Sequence, residues 1–281
     1  MSIIKYNCNL CKGEQFTERK SLTKSLGIKE NEKYKVVSCN SCSLHSLHPI
    51  PNNKEFKEIY DNYAEHGDRI EVEKKRMETI YPEKIKLINQ YGPNLKSILD
   101  IGAGNGGFVS IAKSNNYEVT GIELNNEQVE HAKKVFDVDL INKTFEDFIL
   151  TNKSSFDIVH LHHVFEHVQN PLEILLDIKK VISKDGLLLL EVPNQFFTFP
   201  SQLMFKLRIK SYRKPYNPYH HLYFYSRKTL LEFFKKSGFD VIMLNDQVNR
   251  ELGIKSFLKL KIASLFKLST SHVLKIVAKP I

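Results

Sequence analysis

The feature that most constrains this chain is a glycine-rich loop set between an apolar run and a helix-patterned stretch. Asp100-Ile101-Gly102-Ala103-Gly104-Asn105-Gly106-Gly107 follows the run SIL, and FVSIAKS follows the loop. A strand that passes through glycines into a helix is the place where an α/β sheet meets a nucleotide-like ligand. From Lys96 onward the same alternation repeats. YEVTGIE, VDLIN, FDIVHLH and LLLLEV read as strands, and NNEQVEHAKKVF and the stretch after Asn170 read as helices. FDIVHLH and LLLLEV are almost continuously apolar, as strands are when helices cover both faces of a sheet. The expectation is an α/β fold with a Rossmann-like, doubly wound sheet over residues 95–281. Ser226 is placed to cap a helix that ends at Gly238, FDVIML should follow as a strand, and SHVLKIVAK should be the last one.

Gly102, Gly104 and Gly107 also satisfy G-x-G-x-x-G, so a dinucleotide is one reading of the loop. Two features favour another. Asp100 puts a carboxylate two residues before the first glycine, where a pyrophosphate is repelled and a cationic sulfonium amino acid is welcome. Glu123 stands at the tip of the next strand, placed to accept from both ribose hydroxyls, and Phe145-Glu146-Asp147 follows the third strand, where a carboxylate can receive an adenine amino group.

Six segments in order, DIGAGNG, GIELN, TFEDF, FDIVHLHHVFEHVQNP, DGLLLLEVPN and HLYFYSRKTLLEFFKKSGF, resemble the motifs of the class I S-adenosylmethionine-dependent methyltransferases, over about residues 95–245. The resemblance is to the group found in sugar, polysaccharide and small-metabolite pathways. It implies that Asp100, Gly102, Ala103 and Gly104 hold the cofactor from the first loop. It places Glu123 and Leu124 at the ribose, Glu146 and Asp147 at the adenine, and His162 near the methionine end.

All four cysteines fall in C-x-x-C pairs, Cys8/Cys11 and Cys39/Cys42, with 27 residues between the pairs. That spacing suits a tetrahedral four-thiolate zinc site, closed and therefore structural, in a zinc-ribbon-like module over residues 1–52. Thiols in this pattern suit a reducing compartment, and the expected localisation is cytoplasmic. CNSCSLHSLHPIP followed by IYDNY resembles the N-terminal zinc-binding region of some sugar methyltransferases. Those deoxysugar C-methyltransferases carry a further C-terminal domain for which 281 residues leave no room, so their particular reaction is not implied. His45 and His48 are read as surface or substrate-side residues. A charged helical linker spans 53–94, with Pro82 at a helix start and Gly92-Pro93 after its end.

His160, His162, His163, Glu166 and His167 crowd the end of the fourth strand. His163, Glu166 and His167 have the i, i+3, i+4 spacing of one helical face. Formally this is the H-x-x-E-H of inverted zinc proteases, but it lies inside a methyltransferase motif series. It is closer to methyltransferases with E-x-x-E-H here, some of which bind a divalent metal. With His163 in first position, a second divalent ion at His163/Glu166/His167 stays open and shifts towards zinc-like ions. The other reading is that Glu166 and His167 pin the helix to the sheet. A hydroxyl acceptor must lose its proton, and His167 and His163 are the first candidates for that base, with His220 or His221 a second pair.

The formal charge of +9 points to anionic partners. The expected acceptor is a small anionic molecule, a sugar or nucleotide-sugar. The alternative is a zinc-containing RNA methyltransferase using the charge to hold phosphates. A non-catalytic zinc adaptor is opposed by the intact Asp100, Glu123 and glycines. No apolar run is long enough to span a membrane. Residues 250–268 read as a helical insertion packed on the domain, with peripheral contact to a membrane surface as the other possibility. Aromatic, basic residues 195–222 read as a lid or insertion.

Overall fold

The computed structural model describes residues 6–29, 31–52, 54–55, 58, 73, 75–198, 219–245 and 271–281. The expected insertion at 250–268 and most of that at 195–222 lie outside them. So does most of the first half of the expected linker.

The N-terminal part holds three antiparallel strands, β1 (Phe16–Glu18), β2 (Lys35–Cys39) and β3 (His45–His48), with α1 (Lys20–Ser25) between the first two. A π-helical turn at Arg76–Ile80 leads into α2 (Tyr81–Tyr91), which has Pro82 in its first turn and stops at Gly92. The alternating region follows as β4 (Ser97–Ile101), α3 (Gly107–Ser114), β5 (Glu118–Ile122), α4 (Asn126–Phe136), β6 (Leu140–Ile141), α5 (Phe145–Thr151), β7 (Phe156–His162), α6 (Pro171–Val181) and β8 (Ile182–Pro193). The remaining elements are β9 (Tyr223–Phe224), α7 (Arg227–Ser237), β10 (Phe239–Asn245) and β11 (Val273–Pro280). The local signals are those expected. The Asn125 side chain accepts from Gln128 N–H at the start of α4, Ser226 and Thr229 form a capping box at α7, and Gly238 ends α7 at φ 73°.

Seven strands form one mixed sheet in the order β10-β11-β8-β7-β4-β5-β6. β6, β5, β4, β7 and β8 are parallel, and β11 runs against β8 and β10. Alternate residues of each strand enter opposite layers. Ile98, Ile158, Leu187 and Leu189 meet Ile85 and Ile88 of α2 and Phe108 of α3. Leu99, Val159, Leu188 and Leu190 face the other way, into a core with Ile174, Leu175 and Ile178 of α6 and Phe233 and Phe234 of α7. This is the doubly wound Rossmann-like arrangement, with the glycine loop at the carboxyl end of β4, where the strand order reverses.

Two findings depart from the sequence pattern. No helix starts at His163. That residue takes a left-handed backbone, φ 57°, and α6 begins only at Pro171, behind Asn170. His163, Glu166 and His167 therefore do not share a helical face. A tight turn, closed by His167 N–H donating to the Val164 carbonyl at 2.9 Å, gathers them instead. His45, read as surface or substrate-side, is buried, its Nδ1 2.9 Å from the Ser43 carbonyl. It is covered because β9 pairs with β3 in the register His45↔Phe224 and Ser46↔Tyr223, completing a four-stranded sheet.

That pairing joins the N-terminal strands to the rest. Leu10, Leu22, Val36, Leu44 and Leu47 belong to the same buried cluster as Leu161, Phe165 and Phe196. Leu47→Ala removes a fully buried side chain from this shared core and should cost about 2–5 kcal/mol. Urea unfolding followed by both far-ultraviolet circular dichroism and tyrosine fluorescence should show one transition moved to lower urea. Two separated transitions would mean that the N-terminal strands are an independent unit.

Candidate functional site

The chain leaves β4 through three glycines in the left-handed region, Gly102 (φ 68°), Gly104 (φ 56°) and Gly106 (φ 81°). At Gly102 a Cβ would lie 2.5 Å from Val164 Cγ2, so the loop packs directly on the turn that carries Glu166 and His167. At Gly104 a Cβ would meet nothing within 4 Å, and a ligand can approach the backbone closely there. Ala103 N–H donates to the Ile122 carbonyl at 2.9 Å, fixing the loop to β5. Glu123 follows β5 at once. It accepts from Gly104 N–H through Oε2 at 2.9 Å and from Asn125 N–H through Oε1 at 2.8 Å, which sets its carboxylate at the rim of the loop. Leu124 beside it is exposed, and Asn142 Nδ2 donates to the carbonyls of both residues. Glu146 and Asp147 stand exposed in the first turn of α5, where Thr144 accepts from Asp147 N–H at 3.0 Å.

Beneath the loop lies a buried set of charges. Asp100 and His160 are register partners in β4 and β7, with His160 Nδ1 2.6 Å from Asp100 Oδ1. Burial, reinforced by Lys84, holds His160 below the usual histidine range, so its neutral ring donates to Asp100. His160 thus lies inside the sheet against Phe108 and not at the open edge with the other histidines, and the Asp100 carboxylate is engaged within the sheet. One pair further along, His162 Nε2 is 3.3 Å from Glu191 Oε1 on β8. Lys84 Nζ lies 3.5 Å and Lys275 Nζ 3.7 Å from Glu191 Oε2. Burial alone would raise the Glu191 carboxyl, but Lys84 and His162 outweigh it and hold it far below the carboxylate range. His162 is pushed well below its usual range by burial and by Lys84. Lys84 and Glu191 were not singled out from the sequence. A signal was there: Lys84 falls on the buried stripe of α2 with Tyr81, Ile85 and Ile88, and Glu191 interrupts an apolar run covered on both faces. Two charges at core positions point to each other.

The second cluster surrounds Glu166, which is 1% exposed. His163 Nδ1 lies 3.2 Å from Glu166 Oε1, and the Nε2 atoms of His167 and His221 each lie 3.8 Å from the same oxygen. His163 Nε2 is also 3.7 Å from Glu191 Oε1, so this ring stands between two carboxylates. The Glu166 carbonyl accepts from Leu222 N–H at 2.8 Å and Tyr223 N–H at 3.2 Å, which brings His221 over the turn. The pair His220/His221 therefore divides. His221 faces Glu166, while the His220 carbonyl lies 2.6 Å from His167 Nδ1. Burial, then His220 and His167, keeps the His221 ring well below the usual range and hence neutral. Burial pushes the Glu166 carboxyl up, but the hydrogen bond from His163 and the charge of His167 bring it below its ordinary value.

The four cysteines are brought together. Cys8 Sγ is 3.5 Å from Cys42 Sγ, Cys11 Sγ is 3.5 Å from Cys39 Sγ, and all four sulfurs lie within 4.8 Å of one another. Four thiolates about 2.3 Å from a central ion would be about 3.8 Å apart. Each pair sits in the same kind of turn. Lys12 N–H donates to the Cys8 carbonyl and Ser43 N–H to the Cys39 carbonyl, with Lys12 and Ser43 both left-handed at φ 61° and 65°. Burial pushes the Cys8 thiol up to about 11. Neither His45 nor His48 belongs to this group of sulfurs.

A family model described as a methyltransferase domain matches residues 74–244. The ubiquinone biosynthesis O-methyltransferase of Actinobacillus pleuropneumoniae is 30% identical over 133 residues, which are 43% of this chain and 56% of that one. The chain thus spans about half the length of the curated relatives it matches. Among solved structures, a S-adenosylmethionine-dependent methyltransferase of Thermotoga maritima is similar with a TM-score of 0.51 at 17% identity, covering 80% of this chain and 99% of the other. The plantazolicin methyltransferase BamL, solved with S-adenosylhomocysteine, is similar with a TM-score of 0.53 at 15% identity, covering 80% and 90%. At such identities these two speak for the fold. The family match takes in both the glycine loop with Glu123 and the Glu166 cluster, and the chain belongs to this methyltransferase-domain family.

Proposed function

We propose that this methyltransferase acts on an oxygen of a small anionic acceptor, a sugar or nucleotide-sugar, with the acceptor held at the Glu166 cluster. The observation that carries this reading is the packing of Val164 on Gly102, which sets the histidine-bearing turn directly against the cofactor loop. In this reading Glu123 accepts from the ribose hydroxyls, Leu124 lies along the adenosine, and Glu146 and Asp147 receive the adenine amino group. Gly102, Ala103 and Gly104 allow close approach of the methionine part, Asp100 holds the loop through His160, and His162 lies near the methionine end. The buried Glu73 carboxylate fills the space where a Cβ of Gly107 would be, at the N-terminus of α3. A dinucleotide pyrophosphate would meet that negative charge, whereas the amino group of S-adenosylmethionine is compatible with it.

Transfer is an in-line displacement. The acceptor oxygen bonds to the methyl carbon, the carbon–sulfur pair returns to sulfur as neutral S-adenosylhomocysteine, and the hydroxyl proton passes to a base. His163 and His167 are the two residues set to handle that proton. His163 is assigned the acceptance, because its side chain is 32% exposed against 18% for His167, and Nδ1 faces Glu166, as in a carboxylate-oriented base. The net charge of +9 supports an anionic acceptor. A second reading, an intermediate of ubiquinone biosynthesis, draws on the 30% identity to that O-methyltransferase and keeps the same oxygen chemistry. The spacing of the four sulfurs supports a structural zinc at Cys8, Cys11, Cys39 and Cys42, with no open position for chemistry.

Glu123→Ala should weaken S-adenosylmethionine by about 1.5–3 kcal/mol, the worth of lost charge-assisted hydrogen bonds. Calorimetry that finds NAD bound more tightly than S-adenosylmethionine would overturn the cofactor assignment. His163→Ala should lower turnover by about two to four orders of magnitude with cofactor affinity unchanged. The assay is transfer of a radiolabelled methyl group to a panel of nucleotide-sugars, phenols and RNA, and faster transfer to RNA than to any small acceptor would refute the acceptor class. Elemental analysis of protein purified without chelator should give one zinc per chain. A Cys39→Ser/Cys42→Ser variant that keeps all its zinc would sink the cysteine site.

A further inference from the structure

Glu73 is a carboxylate buried deeper than an ion pair alone requires. Its side chain is 7% exposed, against 39% for Arg76 three residues on, whose Nη1 donates to Glu73 Oε2 at 3.3 Å. An i, i+3 pair of this kind forms equally well on a wet helix surface, whereas burying the carboxylate costs several kcal/mol. The burial leads to one place. Glu73 Oε1 occupies the space that a Cβ of Gly107 would need, so the carboxyl group lies against bare backbone where the glycine loop turns into α3. Tyr81, the first residue of α2, donates to the same Oε1 at 2.8 Å. Burial, and then the Glu73 charge, hold the Tyr81 hydroxyl well above its usual range, so it keeps this proton. The Tyr81 ring packs edge-on against Phe108 and His162, with centroids 5.8 and 6.4 Å away. The carboxylate is thereby fixed on the His162 side of the loop.

We propose that Glu73 and Arg76 bind the amino-acid end of S-adenosylmethionine as a zwitterion, the Glu73 carboxylate taking the ammonium group and the Arg76 guanidinium the carboxylate. This deepens the cofactor reading of the glycine loop and rests on it. Neither residue has to give up a bond. From these partners each Glu73 oxygen accepts one hydrogen bond of about two that it can take, and Arg76 spends one of its roughly five N–H donors. An ammonium group brings donors only, which suits Glu73, and a carboxylate suits the planar fork of the guanidinium. The Glu73–Arg76 pair is neutral overall, as is the amino-acid end it would hold. A pyrophosphate meets the buried carboxylate with only one guanidinium to offset it. A cofactor stripped of its carboxylate leaves Arg76 facing an ammonium group. Glu73 and Arg76 thus select the amino-acid end, while Glu123 selects the ribose.

Calorimetry on the full chain tests the assignment with four ligands: S-adenosylhomocysteine, its analogues lacking either the amino or the carboxyl group, and 5′-methylthioadenosine, which lacks both. The unaltered protein should bind S-adenosylhomocysteine roughly ten- to hundredfold more tightly than either truncated analogue, the worth of a charge-assisted contact. Glu73→Gln should lose a similar factor for S-adenosylhomocysteine, lose little for the analogue without the amino group, and leave methylthioadenosine unchanged. Arg76→Met should show the mirror pattern, with the loss absent for the analogue without the carboxyl group. Full S-adenosylhomocysteine affinity in both variants would overturn the assignment. So would equal losses for S-adenosylhomocysteine and methylthioadenosine, which would make the two residues supports of the fold. Should a variant not fold, the ranking of the analogues by the unaltered protein decides, and equal affinity for all four ligands refutes the zwitterion site. Failure of the cofactor reading looks different: the unaltered protein then binds neither S-adenosylhomocysteine nor methylthioadenosine.

Discussion

Glu166 is a carboxylate with almost no access to water, and the turn after β7 is organised around keeping it there. Burying a lone charge of this kind costs several kcal/mol, so its neighbours must compensate. The side chain meets His163, His167 and His221, while the backbone carbonyl receives the N–H groups of Leu222 and Tyr223. Those two residues lead straight into β9, which pairs with β3 of the cysteine-bearing sheet. One buried residue therefore ties the turn after β7, the segment returning at 219–222 and the N-terminal strands into a single arrangement. The packing of Val164 on Gly102 carries that arrangement to the glycine loop.

The second buried set, Asp100 with His160 and Glu191 with Lys84 and His162, does a different task. These groups lie on one face of the central strands, under the loop, where the effective dielectric is low and fixed charges act strongly. His160 and His162 are both held neutral by burial and by Lys84. The net effect is a floor beneath the loop in which the Asp100 and Glu191 carboxylates are set against the ammonium groups of Lys84 and Lys275. Removal of one member would leave an uncompensated ion, a loss of about 3–5 kcal/mol in comparable buried pairs.

What was legible in the sequence was what local pattern encodes. The apolar runs at Ile98, Ile158 and Leu188, the Asn125 and Ser226 caps and the glycine at 238 each state their structure within a few residues, and the order of elements followed. The helical face drawn through His163, Glu166 and His167 failed for a local reason too. Asn170-Pro171 is a helix start, and it marks α6 eight residues after His163. The spacing of the histidines could not show that His163 is left-handed. The role of His221 was harder to see, because it depends on β9, a two-residue strand paired across more than 170 residues of sequence. Strands that short carry no periodic signal.

The same non-local pairing brings cysteines some 120–160 residues earlier in the chain close to the turn that carries Glu166. Strands of three to five residues cannot bury a core of their own, and here they share one with the methyltransferase domain. Asn9, between the first two cysteines, donates through Nδ2 to Asn170 Oδ1 at 3.2 Å and to the Gln169 carbonyl at 3.4 Å, and its Oδ1 accepts from Leu172 N–H at 3.4 Å. Tyr223 O–H donates to the same Gln169 carbonyl at 2.9 Å. The first cysteine turn is thus strapped to the stretch between Glu166 and α6. Each bond is worth only about 1 kcal/mol, but their acceptors and donors lie within six residues of Glu166. The first cysteine turn is in this way bonded to the segment that joins Glu166 to α6, whereas β5 holds the glycine loop through Ala103 and Glu123.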